Sequence, residues 1–143
     1  MHKVMLPVDG SRSSENAARY LVGCVRDVGA LEIHLLNVQA LPEGWEVKRF
    51  LRDDELAAMA REYGEAALAS TRTILDAAGI PYTAHIEQGE VADTIARMIE
   101  QLGCDQVVMG SHGRGALQGL LLGSVASKVL QRVAVPVTLV KAL

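Results

Sequence analysis

Five glycines fall within fourteen residues of this sequence, at positions 110, 113, 115, 119 and 123. The run from Met109 to Ser124 reads Met-Gly-Ser-His-Gly-Arg-Gly-Ala-Leu-Gln-Gly-Leu-Leu-Leu-Gly-Ser. Glycine permits positive φ and close backbone approach, so a run leaving a strand and entering a helix can turn successive N–H groups inward as an anion nest. The helix beyond adds free N–H groups and the positive end of its dipole. Ser124 heads that helix in this reading, with a hydroxyl able either to cap it or to meet a phosphate oxygen. Spacing excludes two familiar phosphate motifs. Gly123 is followed by Ser124 and not lysine, so there is no GxxxxGK[ST]; Gly113 and Gly115 are followed by Gln118 where a GxGxxG needs its third glycine.

The elements that position this loop follow from apolar periodicity. Val4 to Val8 is an apolar run stopped by Asp9-Gly10-Ser11, after which Ala17, Leu21, Cys24, Val25 and Val28 recur at helical spacing. Leu31 to Val38 is a second strand. A long helix opens near Asp53 and closes at Gly79 before Pro81. Tyr82 to Glu87 is a third strand, Val91 to Leu102 a third helix ending at Gly103, and Gln106 to Met109 a short apolar fourth strand. A helix from Ser124 to Arg132 and a strand from Val137 to Val140 close the pattern. Strands alternating with helices predict an α/β fold: a single doubly wound five-stranded parallel sheet, order 3-2-1-4-5, with helices on both faces. Ligands in such sheets bind beyond the C-terminal strand ends, which directs attention to the loops after strands 1, 2 and 4. Pro7 has no N–H for a ladder, so it is expected at the end of its strand.

Length and charge bound the function classes. At 143 residues the chain predicts one domain, residues 1–143. A net charge of -3 and a pI near 5.8 provide no electrostatic footprint for nucleic acid. No apolar run approaches the roughly 18 to 20 residues of a bilayer crossing, and no leader pattern opens the chain, so a cytoplasmic protein without membrane contact is expected. Cys24 and Cys104 lack metal or redox spacing and are read as buried reduced thiols. His2, His34 and His85 fall on strands expected to be neighbours, but no metal-binding spacing connects them; they are read as ordinary packed or surface histidines. His112 is read as shaping the glycine loop. Trp45 and Phe50 lie in the connection after the second strand, where a lid over a ligand and packing on the second helix are both open.

The loop fits the pattern G-x2-G-x9-G-[ST] at Gly110, Gly113, Gly123 and Ser124. In this it resembles the ATP-binding branch of the universal stress proteins. Val8-Asp9-Gly10-Ser11, the strand Leu31 to Val38 and the terminal Pro136 to Val140 fall where that family has its landmarks. The resemblance implies that Pro7, Val38 and Met109 border an adenine pocket, with the Val38 backbone at the base edge. Asp9 and Gly110 would lie near the ribose; Gly113, Gly123, Ser124 and Val125 would bind phosphates, largely through backbone N–H groups. Asp9 has a second reading as a helix cap or an Asx-turn, and Arg114 is open between a phosphate contact and a solvated loop position. The implied ligand is ATP, or AMP or ADP, with Mg2+ or Mn2+ held mainly by phosphates. Hydrolysis needs a positioned water and charge aimed at the γ-phosphate, which no spacing here provides, so a nucleotide-binding signalling or stress-response module with at most slow ATPase or autophosphorylation activity is expected. The alternative is a nucleotide-independent homodimeric scaffold. The resemblance also implies a homodimer through Val137 to Val140, an apolar strand whose edge invites pairing. A phospho-receiver domain fits poorly, since the third strand ends in Glu87-Gln88-Gly89 without an aspartate.

Overall fold

The computed structural model of the chain describes residues 2–40, 52–112 and 122–141. Among these residues the element order is β1 (Lys3–Pro7), α1 (Arg12–Val28), β2 (Glu32–Gln39), α2 (Asp53–Ala77), β3 (Tyr82–Gln88), α3 (Val91–Leu102), β4 (Gln106–Gly110), α4 (Ser124–Arg132) and β5 (Val137–Val140). The five strands form one sheet in the order β3-β2-β1-β4-β5, and every pairing is parallel. The predicted strand order holds. So do the bounds of α3, α4 and β5, while β1 and β2 are displaced by one residue from the apolar runs that announce them.

The centre of the sheet is covered on both faces, which is why its strands read as continuous apolar runs. Val4, Met5 and Leu6 of β1 are fully buried. Val4 and Leu6 join Ile33, Leu35, Ala17, Leu21, Leu68 and Leu75 in a core under α1 and α2. Met5 joins Leu36, Val107, Met109, Ile95, Met98 and Val129 in a second core under α3 and α4. The edge strands β3 and β5 are only half-buried. Of the two cysteines expected to be buried, Cys104 is, whereas Cys24 is only half-buried.

Pro7 ends β1, as expected. In a parallel ladder the N–H groups of alternate residues face opposite neighbours. Val8 N–H donates to Leu36 O of β2 at 2.8 Å, so the donor missing at Pro7 falls on the side of β4, whose pairing with β1 covers only Val4 and Met5. No ladder bond is lost.

Local chemistry sets the helix ends that matter for the site. Ser11 caps α1, its hydroxyl accepting Ser14 N–H at 3.2 Å, and Gly10 turns the chain into that cap at φ +82°. Glu90 caps α3 through Asp93 N–H at 2.7 Å, and Gly103 closes it in the left-handed region at φ +68°.

Candidate functional site

A cleft of about 260 Å³ opens beyond the C-terminal ends of β1, β2 and β4, where a doubly wound sheet reverses strand order. Pro7, Leu36, Val38 and Met109 form an apolar floor, and Val91 and Ile95 of α3 extend it. The other side is polar: Asp9, Ser11 and Ser14 from the start of α1, Gly110 and His112 from the exit of β4, and Gly123 to Ala126 from the start of α4. Two helix N-termini, those of α1 and α4, therefore share one cleft with an apolar floor.

All the described residues singled out in the sequence meet here: Pro7, Asp9, Val38, Met109, Gly110, Gly123, Ser124 and Val125 line the cleft. Gly113 and Arg114, like Trp45 and Phe50, lie outside the described residues.

The polar end differs in detail from expectation. Gly123, not Ser124, takes the N-cap position of α4, and no side chain caps that helix. Ser124 is the first helical residue and is exposed. The Gly123 N–H is itself donated to Ser111 O at 2.7 Å. The first intrahelical bond runs from Ser127 N–H to Gly123 O, so the amides without an intrahelical acceptor at the head of α4 are those of Ser124, Val125 and Ala126. Of the amides singled out in the sequence at this helix start, that of Gly123 is taken by Ser111 O, and those of Ser124 and Val125 have no intrahelical acceptor.

Asp9 closes an Asx-turn, its carboxylate accepting Ser11 N–H at 2.9 Å, while the cap of α1 is Ser11. It performs this local role from within the lining of the cleft. His112 donates its N–H to Ser13 Oγ at 3.3 Å, and its Nδ1 lies 3.0 Å from Ser111 Oγ. The first contact ties the exit of β4 to α1. Ser14 also lines the cleft without any signal in the sequence; its position follows only once α1 is packed on β4.

The other histidines lie elsewhere. His34 Nδ1 and His85 Nε2 are 2.9 Å apart across β2 and β3, and His34 Nε2 is 2.8 Å from Glu32 Oε2. His2 approaches Asp105 at 3.5 Å. Sequence reading placed His34 and His85 on adjacent strands but missed their direct contact, since pairing register is not written in spacing. Among the described residues no group of three or more His, Cys, Asp or Glu is arranged to hold a metal ion. No described helix is long and apolar enough to cross a membrane.

Comparison with known proteins agrees with this geometry. The family model described as Universal stress protein family matches residues 1–141. The chain belongs to the universal stress protein family. A universal stress protein of Methanocaldococcus jannaschii, MJ0531, is 30% identical over 146 residues, covering 97% of this chain and 81% of that protein. The chain spans only 41% of a Synechocystis universal stress protein and 48% of a Mycobacterium tuberculosis one. Among solved structures, the protein MJ0577 superimposes with a TM-score of 0.84 at 29% identity, covering 99% of this chain and 96% of that one. An Arabidopsis thaliana family member with AMP bound has a TM-score of 0.70 at 20% identity, covering 100% and 93%. A universal stress protein in complex with cAMP gives 0.69 at 23% identity, covering 97% and 96%. The last two share the fold.

Proposed function

We propose that the cleft binds an adenine nucleotide, ATP with Mg2+ or Mn2+ or the smaller AMP or ADP, and that the chain acts as a stress-response or signalling module. One observation carries this reading: the amide-rich start of α4 and the carboxylate of Asp9 stand at the polar end of a cleft whose floor is apolar. An apolar slot suits a base, a carboxylate accepts hydrogen bonds from ribose hydroxyls, and a helix N-terminus takes phosphate charge. In this arrangement Pro7, Val38 and Met109 flank the base. Asp9 and Gly110 face the ribose, and the Ser124 and Val125 amides take phosphate together with Gly113 and Arg114, while Gly123, its own N–H held by Ser111 O, leaves room for the phosphate to approach them. Family members with AMP and with cAMP support the ligand class.

Among the described residues Asp9 is the one carboxylate lining the cleft, and in this reading the protein brings few ligands of its own to a divalent cation. Mg2+ or Mn2+ then rides mainly on the phosphates, neutralising charge next to the α4 amides. In this reading the site binds nucleotide with at most slow ATPase or autophosphorylation, since hydrolysis also needs a positioned water and charge aimed at the γ-phosphate.

The test is calorimetric titration of nucleotide-free protein with MgATP beside a Gly123→Val variant. Gly123 has φ -69° and ψ 163°, which valine adopts without backbone strain, and circular dichroism of the variant beside wild type verifies that it folds before the heats are compared. Saturable heat lost in the variant supports the proposal; equal heat in both, or none in wild type, refutes it.

We also propose a homodimer through β5. Val107 N–H donates to Pro136 O and Ser111 N–H to Val140 O, so the backbone groups of Val137 and Leu139 face away from β4. Val137→Pro removes an outward donor and keeps the β4 ladder. Sedimentation showing a dimer in wild type and a folded monomer in the variant is the expected result, and an unchanged dimer refutes the interface.

A further inference from the structure

Asn37 interrupts the apolar run of β2 and is only 3% exposed. Its Nδ2 donates to Val8 O at 2.8 Å, and its Oδ1 accepts from Gln39 Nε2 at 2.6 Å. The amide has one orientation here, because the Val8 carbonyl only accepts and must face the nitrogen. Val8 N–H is held in turn by Leu36 O at 2.8 Å. Both polar groups of Val8 are thus fixed by β2, one through its ladder and one through a side chain.

The residue after that clamp is Asp9, which lines the cleft. From there the chain has only Gly10, at φ +82°, before Ser11 N–H returns to the Asp9 carboxylate at 2.9 Å. A pinned carbonyl on one side and an Asx-turn on the other both constrain where the carboxylate stands. We infer that Asn37, oriented by Gln39, is a positioning residue that sets the Asp9 carboxylate for a ligand bearing vicinal hydroxyls, making the site selective for a ribonucleotide. This rests on the nucleotide reading above and adds the residue that enforces sugar recognition.

Without the Asn37 donor, the Val8 carbonyl loses its partner and the peptide before Asp9 gains freedom to rotate. The carboxylate then samples several positions, while the floor of the cleft and the α4 amides stay in place. The expected loss therefore falls on the sugar and spares the base and phosphates.

The experiment titrates wild type, Asn37→Leu and Asp9→Ala with MgATP and with the Mg2+ complex of 2′,3′-dideoxy-ATP. Asp9 χ1 couplings are measured by NMR in the same proteins except Asp9→Ala, free of nucleotide. Wild type is expected to favour ATP on the order of tenfold, the worth of a hydrogen bond to a charged group. Asn37→Leu brings that ratio close to that of Asp9→Ala with little change in affinity for the dideoxy analogue. Equal weakening of both nucleotides overturns the inference in favour of a purely structural role. If wild type binds neither nucleotide, the nucleotide reading falls and the couplings decide the positioning role: one rotamer in wild type averaged in Asn37→Leu supports it, and unchanged couplings overturn it. Should Asn37→Leu fail to fold, the milder Gln39→Met, which removes only the orienting donor, is expected to move the same readouts part of the way; no movement overturns the inference.

Discussion

Gly110 lies against the first turn of α1 so closely that a β-carbon at position 110 would stand 2.7 Å from the carbonyl carbon of Ser13 and 2.8 Å from its Cβ. Contacts below 3 Å to backbone cannot be relieved by a rotamer change, so a methyl group here must lift α1 from β4. The conformation of Gly110 is not the constraint, since its φ is not among the positive ones; the space is. Gly110→Ala is expected to cost about 1–3 kcal/mol, the usual penalty of overpacking. Because α1 carries Ser11 and Ser14, the same change displaces one wall of the cleft. Urea denaturation checks this: an unchanged midpoint would show that α1 does not sit where these contacts put it.

That relationship marks the boundary of what the sequence discloses. The succession of strands and helices, the place of Pro7 and the span Ser124–Arg132 are all legible, because each is set by local periodicity, a missing donor or a loop-to-helix transition. The fixed glycines of the loop read only as permissive for a ligand, whereas Gly110 also answers to Ser13, nearly a hundred residues away in the chain. Asn37 reads as a blemish in a strand until Val8 is packed beside it. The helix cap at Gly123 in place of Ser124 was hidden because serine is the better capping residue by propensity; the hydrogen bond from Gly123 N–H to Ser111 O fixes the chain one residue earlier.

The Glu32–His34–His85 chain predicts a pH dependence. Two imidazole nitrogens 2.9 Å apart hold one proton between them, and a second opposes the first at close range. Burial foremost, then the charge of His34, lower the His85 pKa from its ordinary 6.5, with Glu87 acting the other way. In the unfolded chain His85 takes its proton near 6.5 and in the folded chain only at lower pH, so the unfolded state binds more protons in that window. Stability from this pair is then complete above about pH 7 and lost as pH falls through the mid-6 range and below. The Glu32 carboxyl is held below its ordinary 4.5, chiefly by its hydrogen bond with His34, and its share is lost only in stronger acid. Denaturation midpoints between pH 7.5 and 5.5 should fall in wild type and fall less in His85→Gln; parallel curves would refute the pairing.

Gly64 offers a second packing test, on the sheet face that α1 and α2 share. A β-carbon there would meet Ile86 Cγ2 at 2.7 Å and Cδ1 at 2.9 Å, so α2 approaches β3 only because residue 64 lacks a side chain. Alanine would add about 1 kcal/mol of helix propensity at an open position, yet a net loss is expected because the β-branched Ile86 cannot swing clear. Gly64→Ala combined with Ile86→Ala should be less destabilised than the sum of the two single variants. Additivity in a double-mutant cycle would place α2 farther from β3.

Ser11 and Ser124 both stand at the start of a helix facing the cleft, and the contrast between them separates folding from binding. Ser11 Oγ accepts Ser14 N–H at 3.2 Å, and Ser14 Oγ donates to Ser11 O at 3.0 Å; Ser11→Ala should therefore cost about 1 kcal/mol, as lost caps do. Ser124 is exposed on a helix with no side-chain cap, so Ser124→Ala should stay within about 0.5 kcal/mol of wild type. Whatever MgATP affinity Ser124→Ala loses is then a ligand contact of the hydroxyl and not a folding defect. Thermal denaturation and calorimetry on the two variants measure both quantities. A Ser124→Ala protein that is markedly less stable would return that hydroxyl to a structural role; one that is equally stable and binds MgATP unchanged would leave phosphate recognition to the backbone amides of α4.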